Sequence, residues 1–229
     1  MNRTRLHCHY WLETTVVKNL GDYLAAIVLE ALGYHCVSRN YSDSDVANPG
    51  RCLLPIGSVL WEHTFERITE PVDVWGCGWR GTSLSPAVLP RVRFHAVRGP
   101  RTAAGLGLPV HIPLGDPALL LPYIRQEEVK QHGCTLVVPH FFQVDQIHAA
   151  HRCRLTGCDE LLSMRVLGAP VPGQRMSPRR LPGMMKARAQ LGIPVCTAWQ
   201  TIRRIAGADF VLTGILHGAE SGPTVIFDS

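Results

Sequence analysis

Residues 92–106 read VRFHAVRGPRTAAGL, and this stretch contains one complete strand-to-helix unit. A β-strand is predicted from Val92 to Val97. A short helix is predicted from Gly99 to Leu106, because Pro100 is tolerated in the first turn, where its missing N–H is not needed. The unit places the guanidinium of Arg98 at the end of the strand, directly before the helix.

The same alternation continues in both directions along the chain. Residues 21–32 carry apolar side chains at helical spacing, and Gly33 is predicted to end that helix. A polar loop is predicted at 14–19 and a glycine-rich turn at 76–78. Further strands are predicted at 6–11, 36–38, 52–56, 72–75, 135–138, 164–167, 210–212 and 224–227, and further helices at 182–191 and 199–206. Repeated strand–helix units indicate an α/β fold with mainly parallel sheets.

The polar segment 127–132 separates two such series of units. We therefore expect two domains, an N-terminal one over 1–126 and a C-terminal one over 127–229. The composition agrees with folded domains, since 46% of the 229 residues are apolar and 18% are charged. No apolar run approaches the ~20 residues that span a bilayer, and no signal-like segment follows Arg3 and Arg5. The expected location is the cytoplasm.

The charge is unevenly distributed along the chain. The net charge is +5, but residues 152–204 carry ten basic side chains against only Asp159 and Glu160. Such a basic region favours an anionic ligand, and it leaves open a peripheral contact with the inner membrane surface. A solvated basic face explains it equally well. Nucleic acid is not expected, because aromatic residues make up only 7% of the chain and none interleaves with the arginines of 175–188.

The eight cysteines are expected to be reduced thiols. No C-x-x-C motif is present, and nothing in the sequence points to an oxidising compartment. Cys153 and Cys158 with His148 and His151 are the only spacing that suggests zinc, and a structural zinc site usually has closer pairs. We therefore expect no metal.

Ligands of parallel sheets bind at the carboxyl ends of the strands, in the loops that lead into helices. Four loops are predicted at that edge: 19–22, 75–81, 98–100 and 214–218. The first holds Asn19, Gly21 and Asp22 at a helix N-terminus, where backbone N–H groups favour an anion or a polar ligand. A first-turn or capping carboxylate is the simpler interpretation of Asp22.

Two further residues have chemistry suited to such a site. Arg98 can bind a carboxylate or a phosphate with two hydrogen bonds, although a salt bridge to Asp116 is an equal alternative. His217 follows an apolar strand and Leu216, at a position suited to proton transfer or phosphate binding. A structural histidine is the more common occurrence at an isolated position of this kind.

Several short motifs occur together in one order along the chain. They are Asn19-Leu20-Gly21-Asp22, Ile56-Gly57-Ser58-Val59-Leu60, Val74-Trp75-Gly76-Cys77-Gly78, Ala96-Val97-Arg98-Gly99-Pro100, Gly115-Asp116-Pro117-Ala118-Leu119-Leu120, and Ala208-Asp209-Phe210-Val211-Leu212 leading to Leu216-His217-Gly218. In this order they resemble the polysaccharide pyruvyl transferase family, particularly the bacterial exopolysaccharide ketal-pyruvate transferases. The resemblance is strongest over 1–140 and 199–218.

The resemblance implies two Rossmann-like halves facing a cleft, as in GT-B-type glycosyltransferases, with the C-terminal half shortened. It implies pyruvyl transfer from phosphoenolpyruvate to a sugar diol of an exopolysaccharide or cell-wall glycan precursor, which can be lipid-linked, with no metal or organic cofactor. His217 is then the expected acid or phosphate contact, and Asp22 holds or deprotonates the acceptor. Arg98 would clamp the donor, aided by a basic residue of 179–188. The expected substrate-binding residues are Asn19, Gly21, Arg98, Asp116 and Leu216.

Two other functions use the same architecture. A nucleotide-sugar glycosyltransferase has a similar two-domain cleft, but no clear acidic ribose-binding position accompanies His217. A non-catalytic carbohydrate-binding protein derived from such an enzyme is the third interpretation.

Overall fold

The structure is a computed structural model that describes residues 4–9, 17–38, 50–124, 133–139, 160–162, 164–167, 197–213 and 224–226. The chain divides into two compact units. The first comprises Met1–Leu12 and Gly21–Leu120, and the second comprises Glu13–Leu20 and Leu121–Ser229. The expected boundary after residue 126 stays a prediction, because 125–132 lie outside the described residues.

A five-stranded parallel sheet forms the centre of the first unit, which confirms the α/β character expected from the sequence. Its strand order is β3-β1-β4-β5-β6. The strands are β1 (Arg5–Cys8), β3 (His35–Ser38), β4 (Cys52–Leu54), β5 (Val72–Cys77) and β6 (Val92–Val97). The carboxyl ends of β4, β5 and β6 therefore lie side by side at one edge of the sheet.

The helices associated with this sheet are short, apart from the first. They are α1 (Leu20–Ala31), α2 (Glu62–Arg67) and α3 (Pro100–Gly105), with 3₁₀ turns at Leu89–Arg91 and Pro117–Leu120. Helix α1 ends as predicted. Gly33 has a φ of +90°, and the amides of Gly33 and Tyr34 donate to the carbonyls of Glu30 and Leu29. Glycine adopts this left-handed conformation without the steric cost that a side chain brings.

The apolar core of the first unit packs against one face of β4, β5 and β6. Cys52, Leu54, Val72 and Val74 point into it, together with Phe65 of α2. The alternate positions of the strands are more exposed, as the period of two along a strand requires. This alternation explains why the strands could be predicted from sequence.

The second unit contains a smaller parallel sheet with the order β11-β10-β7-β8. Its strands are β7 (Thr135–Val138), β8 (Glu160–Leu161), β10 (Phe210–Thr213) and β11 (Thr224–Ile226). Helix α4 (Leu121–Ile124) precedes them, and helix α5 (Ala198–Gly207) precedes β10. Helix α5 begins with a capping box, in which Thr197 and Gln200 satisfy each other's backbone N–H groups.

Four local features differ from the sequence predictions. Strand β4 ends at Leu54, two residues before the predicted end at 56. The end of the expected loop 14–19 is strand β2 (Val17–Asn19), which pairs antiparallel with β9 (Arg165–Leu167). Helix α2 was not predicted, because its six residues are too few to show helical periodicity. The expected turn at 76–78 is wrong in its first two residues. Strand β5 continues to Cys77 through an irregularity in its pairing with β6, at which Gly76 has a φ of +88°.

The cysteines of the described residues are free thiols, as expected. They are Cys8, Cys36, Cys52 and Cys77, which are buried, and Cys134, which is partly exposed. A hydrogen bond with Cys36, together with burial, raises the pKa of Cys8. In the part of the chain that the structure describes, no helix is long and apolar enough to cross a bilayer.

Candidate functional site

Strands β4, β5 and β6 bring three loops together at their carboxyl ends. Ser58 follows β4, Gly78 follows β5 and Arg98 follows β6. The loops are joined by backbone hydrogen bonds, because the amide of Gly78 donates to the Gly57 carbonyl and that of Arg98 donates to the Cys77 carbonyl. This is the edge at which the sequence predicted a ligand site.

Arg98 lies at the centre of this edge of the sheet. We call the group of residues around it the Arg98 site, which comprises Asp22, Ser58, Arg80, Arg98 and Asp116. Nε of Arg98 donates to Oδ2 of Asp116 at 3.1 Å, and its Nη1 donates to Oγ of Ser58 at 2.9 Å. Nη2 is buried and has no hydrogen-bond partner among the described residues. The salt bridge between Arg98 and Asp116, one of the two alternatives from the sequence, therefore forms. It leaves Nη2 of Arg98, with its two N–H groups, available to a ligand.

Asp116 is held rigidly in place. Its side chain is 1% exposed, and Oδ1 accepts a hydrogen bond from the Ala118 amide at 3.0 Å. The preceding residues run parallel to the end of β6, where Leu114 forms a bridge with Val97. Because both oxygens of this buried carboxylate are engaged, its charge-assisted hydrogen bond to Nε orients the guanidinium of Arg98.

A second guanidinium, that of Arg80, lies on the loop that follows β5. Nε of Arg80 donates to the backbone carbonyl of Ser58 at 2.5 Å, and the guanidinium lies 4.8 Å from the ring centroid of Trp61. Ser58 is thus bound by two arginines, through its hydroxyl and through its carbonyl. Ser58 lies within one of the sequence motifs, but no role was predicted for it or for Arg80 from the sequence. A Gly-Ser pair directly after a short strand was the signal that could have indicated the loop.

Two glycines, Gly57 and Gly78, leave room for the side chains of Asp22 and Arg98. A Cβ on Gly78 would lie 2.8 Å from Cζ and from Nη1 of Arg98. Gly57 has a φ of +102°, and a Cβ there would lie 3.2 Å from Oδ1 of Asp22. The structure therefore places Asp22, in the first turn of α1, next to the loop that carries Ser58.

The charges of the site act on one common neighbour. Burial raises the pKa of Cys77, the charge of Arg98 lowers it, and the charges of Asp116 and Asp22 raise it further. The thiol therefore stays protonated, and its Sγ donates to the Leu54 carbonyl at 3.1 Å. Cys77 is a packing residue, and it shows that the three charged groups lie near one another.

The structure brings together part of the predicted site. Gly21, Asp22, Arg98 and Asp116 all belong to the first unit, where Gly21 is buried at the start of α1. Asn19 is the last residue of β2 and belongs to the second unit. Leu216, His217 and the basic residues of 179–188 lie outside the described residues.

No described group of three or more His, Cys, Asp or Glu side chains could hold a metal ion. The His148, His151, Cys153 and Cys158 set lies outside the described residues. No protein-family model matches the chain, and neither a curated protein nor a solved structure shows significant similarity to it.

Proposed function

We propose that the protein transfers the pyruvyl group of phosphoenolpyruvate to two hydroxyls of a sugar, and that it belongs to the polysaccharide pyruvyl transferases. The observation that carries the proposal is the buried Nη2 of Arg98, which has no partner among the described residues, at the carboxyl end of a parallel sheet. An unsatisfied buried guanidinium nitrogen is costly, so a ligand oxygen is its natural partner.

The donor carries the two groups that an arginine recognises best, a carboxylate and a phosphate. In the proposed reaction, protonation of its methylene carbon gives a methyl group and an oxocarbenium-like centre. One sugar hydroxyl adds there, the carbon–oxygen bond to phosphate breaks, and the second hydroxyl closes the ketal. The two hydroxyl protons end on the methyl group and on the phosphate, so the reaction needs no oxidant. The family resemblance implies that it uses no metal or organic cofactor.

Each site residue takes one part in this scheme. Arg98 and Arg80 balance the charge of Asp22 and Asp116, so the donor adds net negative charge to a neutral set of described side chains. Further cations must then approach the donor. In this proposal, His217 and a basic residue of 179–188 supply these positive charges. His217 also acts as the general acid, and Leu216 binds the substrate beside it. Asp22 accepts the proton of the attacking hydroxyl, and Asn19 and Gly21 bind the substrate.

The finer features of the proposal follow from the same resemblance. The two units would be Rossmann-like halves in a GT-B-type arrangement, and the enzyme would act in the cytoplasm on a polysaccharide precursor. A lipid-linked acceptor would bring it to the inner membrane surface.

The deciding experiment measures thermal stability with phosphoenolpyruvate and, separately, with nucleotide sugars. A ligand that binds only the native state raises the melting temperature by mass action. We expect a saturable rise with phosphoenolpyruvate, and phosphate release once a lipid-linked sugar is added. A rise with a nucleotide sugar alone would replace the proposal by a glycosyltransferase. If neither donor raises the melting temperature but the sugar binds, the protein is a carbohydrate-binding protein without transferase activity.

Replacing Arg98 by Lys should weaken the binding of phosphoenolpyruvate by about tenfold or more, although the charge is kept. An ammonium group cannot bind Asp116, Ser58 and a donor oxygen in one plane. The titration of donor against melting temperature measures the change. Arg101→Lys, at an exposed arginine of α3, is the matched control. Equal donor affinities of both variants would remove Arg98 from the donor site.

A further inference from the structure

A second arginine-lined space lies at the opposite end of the five-stranded sheet. It is a cleft of about 410 Å³ where the chain enters strands β4, β5 and β6. Its lining residues are Arg51, Pro71, Pro90, Arg91, Val92 and Arg93. Three of them are cationic and none is acidic. We call this space the arginine cleft, and it is independent of the proposed pyruvyl transfer.

Arg51 is fixed by Asp73. Its Nε and Nη2 donate to the two carboxylate oxygens at 2.5 and 3.1 Å, and Nη2 also donates to the Val72 carbonyl. Nε2 of His95 lies 2.8 Å from Oδ1 of the same carboxylate. Burial acts to raise the pKa of Asp73, but the hydrogen bonds and charges of Arg51 and His95 lower it overall. The carboxylate therefore stays ionised at neutral pH, with both oxygens occupied.

Arg91 is fixed by backbone carbonyls alone. Its guanidinium donates to the carbonyls of Phe65, Ile68 and Glu70, which lie at and just after the end of α2. No carboxylate forms a salt bridge with Arg91 in the part of the chain that the structure describes. Hydrogen bonds to carbonyls orient the guanidinium, but they do not cancel its unit charge.

Arg93 carries the third charge and is free to bind. It is exposed on β6, and it forms no hydrogen bond or ion pair with any described residue. Its Cα pairs with that of Asp73, but Arg51 and His95 already occupy that carboxylate. The cleft therefore combines two oriented guanidinium groups, a third without a partner among the described residues, and an apolar wall of Pro71, Pro90 and Val92.

We propose that the arginine cleft binds a small organic phosphate. The phosphate group would lie between Arg93 and the remaining N–H donors of Arg51, because arginine forks match phosphate oxygens. The organic part would lie against the two prolines. The cleft volume is within the range of small-molecule sites, and it exceeds what inorganic phosphate needs. A sugar phosphate fits this combination of charge and size.

Isothermal titration calorimetry of the whole protein tests the proposal. The probes are glucose 6-phosphate, inorganic phosphate and glucose. We expect saturable binding of glucose 6-phosphate, weaker binding of inorganic phosphate and none of glucose. Arg93→Gln should weaken the binding of glucose 6-phosphate by about tenfold, since one charged hydrogen-bond partner is lost. The melting temperature should not change, because Arg93 is exposed.

Arg101→Gln is the matched control, because Arg101 is an exposed arginine at the opposite end of the sheet. It should keep the wild-type affinity. Arg98→Lys should also keep it, which separates the arginine cleft from the Arg98 site. Equal losses in the Arg93 and Arg101 variants would show non-specific charge attraction and overturn the proposal. So would a loss confined to Arg98→Lys, or the absence of binding by every phosphate.

Discussion

Asp22→Asn is expected to lower the rate of pyruvyl transfer by about 10²–10⁴-fold, the usual cost of losing a general base. Asparagine keeps the shape and can accept a hydrogen bond, but it cannot take a proton from the sugar hydroxyl. Donor affinity should not fall, because Arg98, Ser58 and Asp116 hold one another without Asp22, and the loss of one negative charge favours an anionic donor. Phosphate release under donor saturation measures the rate, and the thermal titration measures the affinity.

Asp22 also lies in the first turn of α1, where a carboxylate stabilises the helix by about 0.3–1 kcal/mol. The matched control is Glu62→Gln, which removes the first-turn charge of α2 and keeps a side-chain oxygen that can accept the hydrogen bond from the Ser85 amide. Both variants should lose similar, small amounts of stability, but only the Asp22 variant should lose activity. If Asp22→Asn retained the wild-type rate, the carboxylate would have only the helix-terminal role that is its simpler interpretation.

Gly76→Ala is expected to destabilise the fold by about 3 kcal/mol, from two costs that add. A non-glycine residue at positive φ costs of order 1–2 kcal/mol, and overpacking typically costs about 1–3 kcal/mol more. The φ of Gly76 is +88°, and a Cβ there would overlap the Pro117 ring and lie 2.8 Å from the Gly115 carbonyl oxygen. The residues that would be displaced lie directly beside Asp116, so the Arg98 site should also be disturbed.

Gly81→Ala provides the matched control. Gly81 has the same φ of +88°, but nothing lies within 4 Å of the position of its Cβ. It should therefore show the backbone cost alone, about 1–2 kcal/mol. Urea unfolding of both variants gives the two free energies. Equal values would mean that Pro117 moves aside at no cost, and that the close approach of the two segments does not constrain the site.

Local patterns were sufficient to predict the elements that carry their own periodicity. The alternation in β6 placed Arg98 at the end of a strand, and Gly33 marked the end of α1. The structure confirms both predictions, which depend on neighbouring residues alone. The salt bridge from Arg98 to Asp116 was one of two alternatives in the sequence, and the structure shows that it forms.

Features that depend on distant pairing could not be predicted. Strand β2 exists because β9 pairs with it, and about 150 residues separate the two strands. Ser58 approaches Arg98 only because β4 and β6 both flank β5. No local sequence pattern predicts this strand order. The arginine cleft has the same origin, since Arg51 and Arg93 become neighbours through the sheet. The second half of the predicted site, with His217, lies outside the described residues and stays a prediction.

The contacts of Arg91 have a consequence for how the first unit opens. One side chain, at the entrance to β6, holds the carbonyls of Phe65, Ile68 and Glu70. Helix α2 is too short to persist without tertiary contacts. When β6 leaves the sheet, these carbonyls lose their donor and the helix end must fray with it. The two elements should therefore form one cooperative opening unit, whose amide protons report one common free energy of opening in hydrogen exchange.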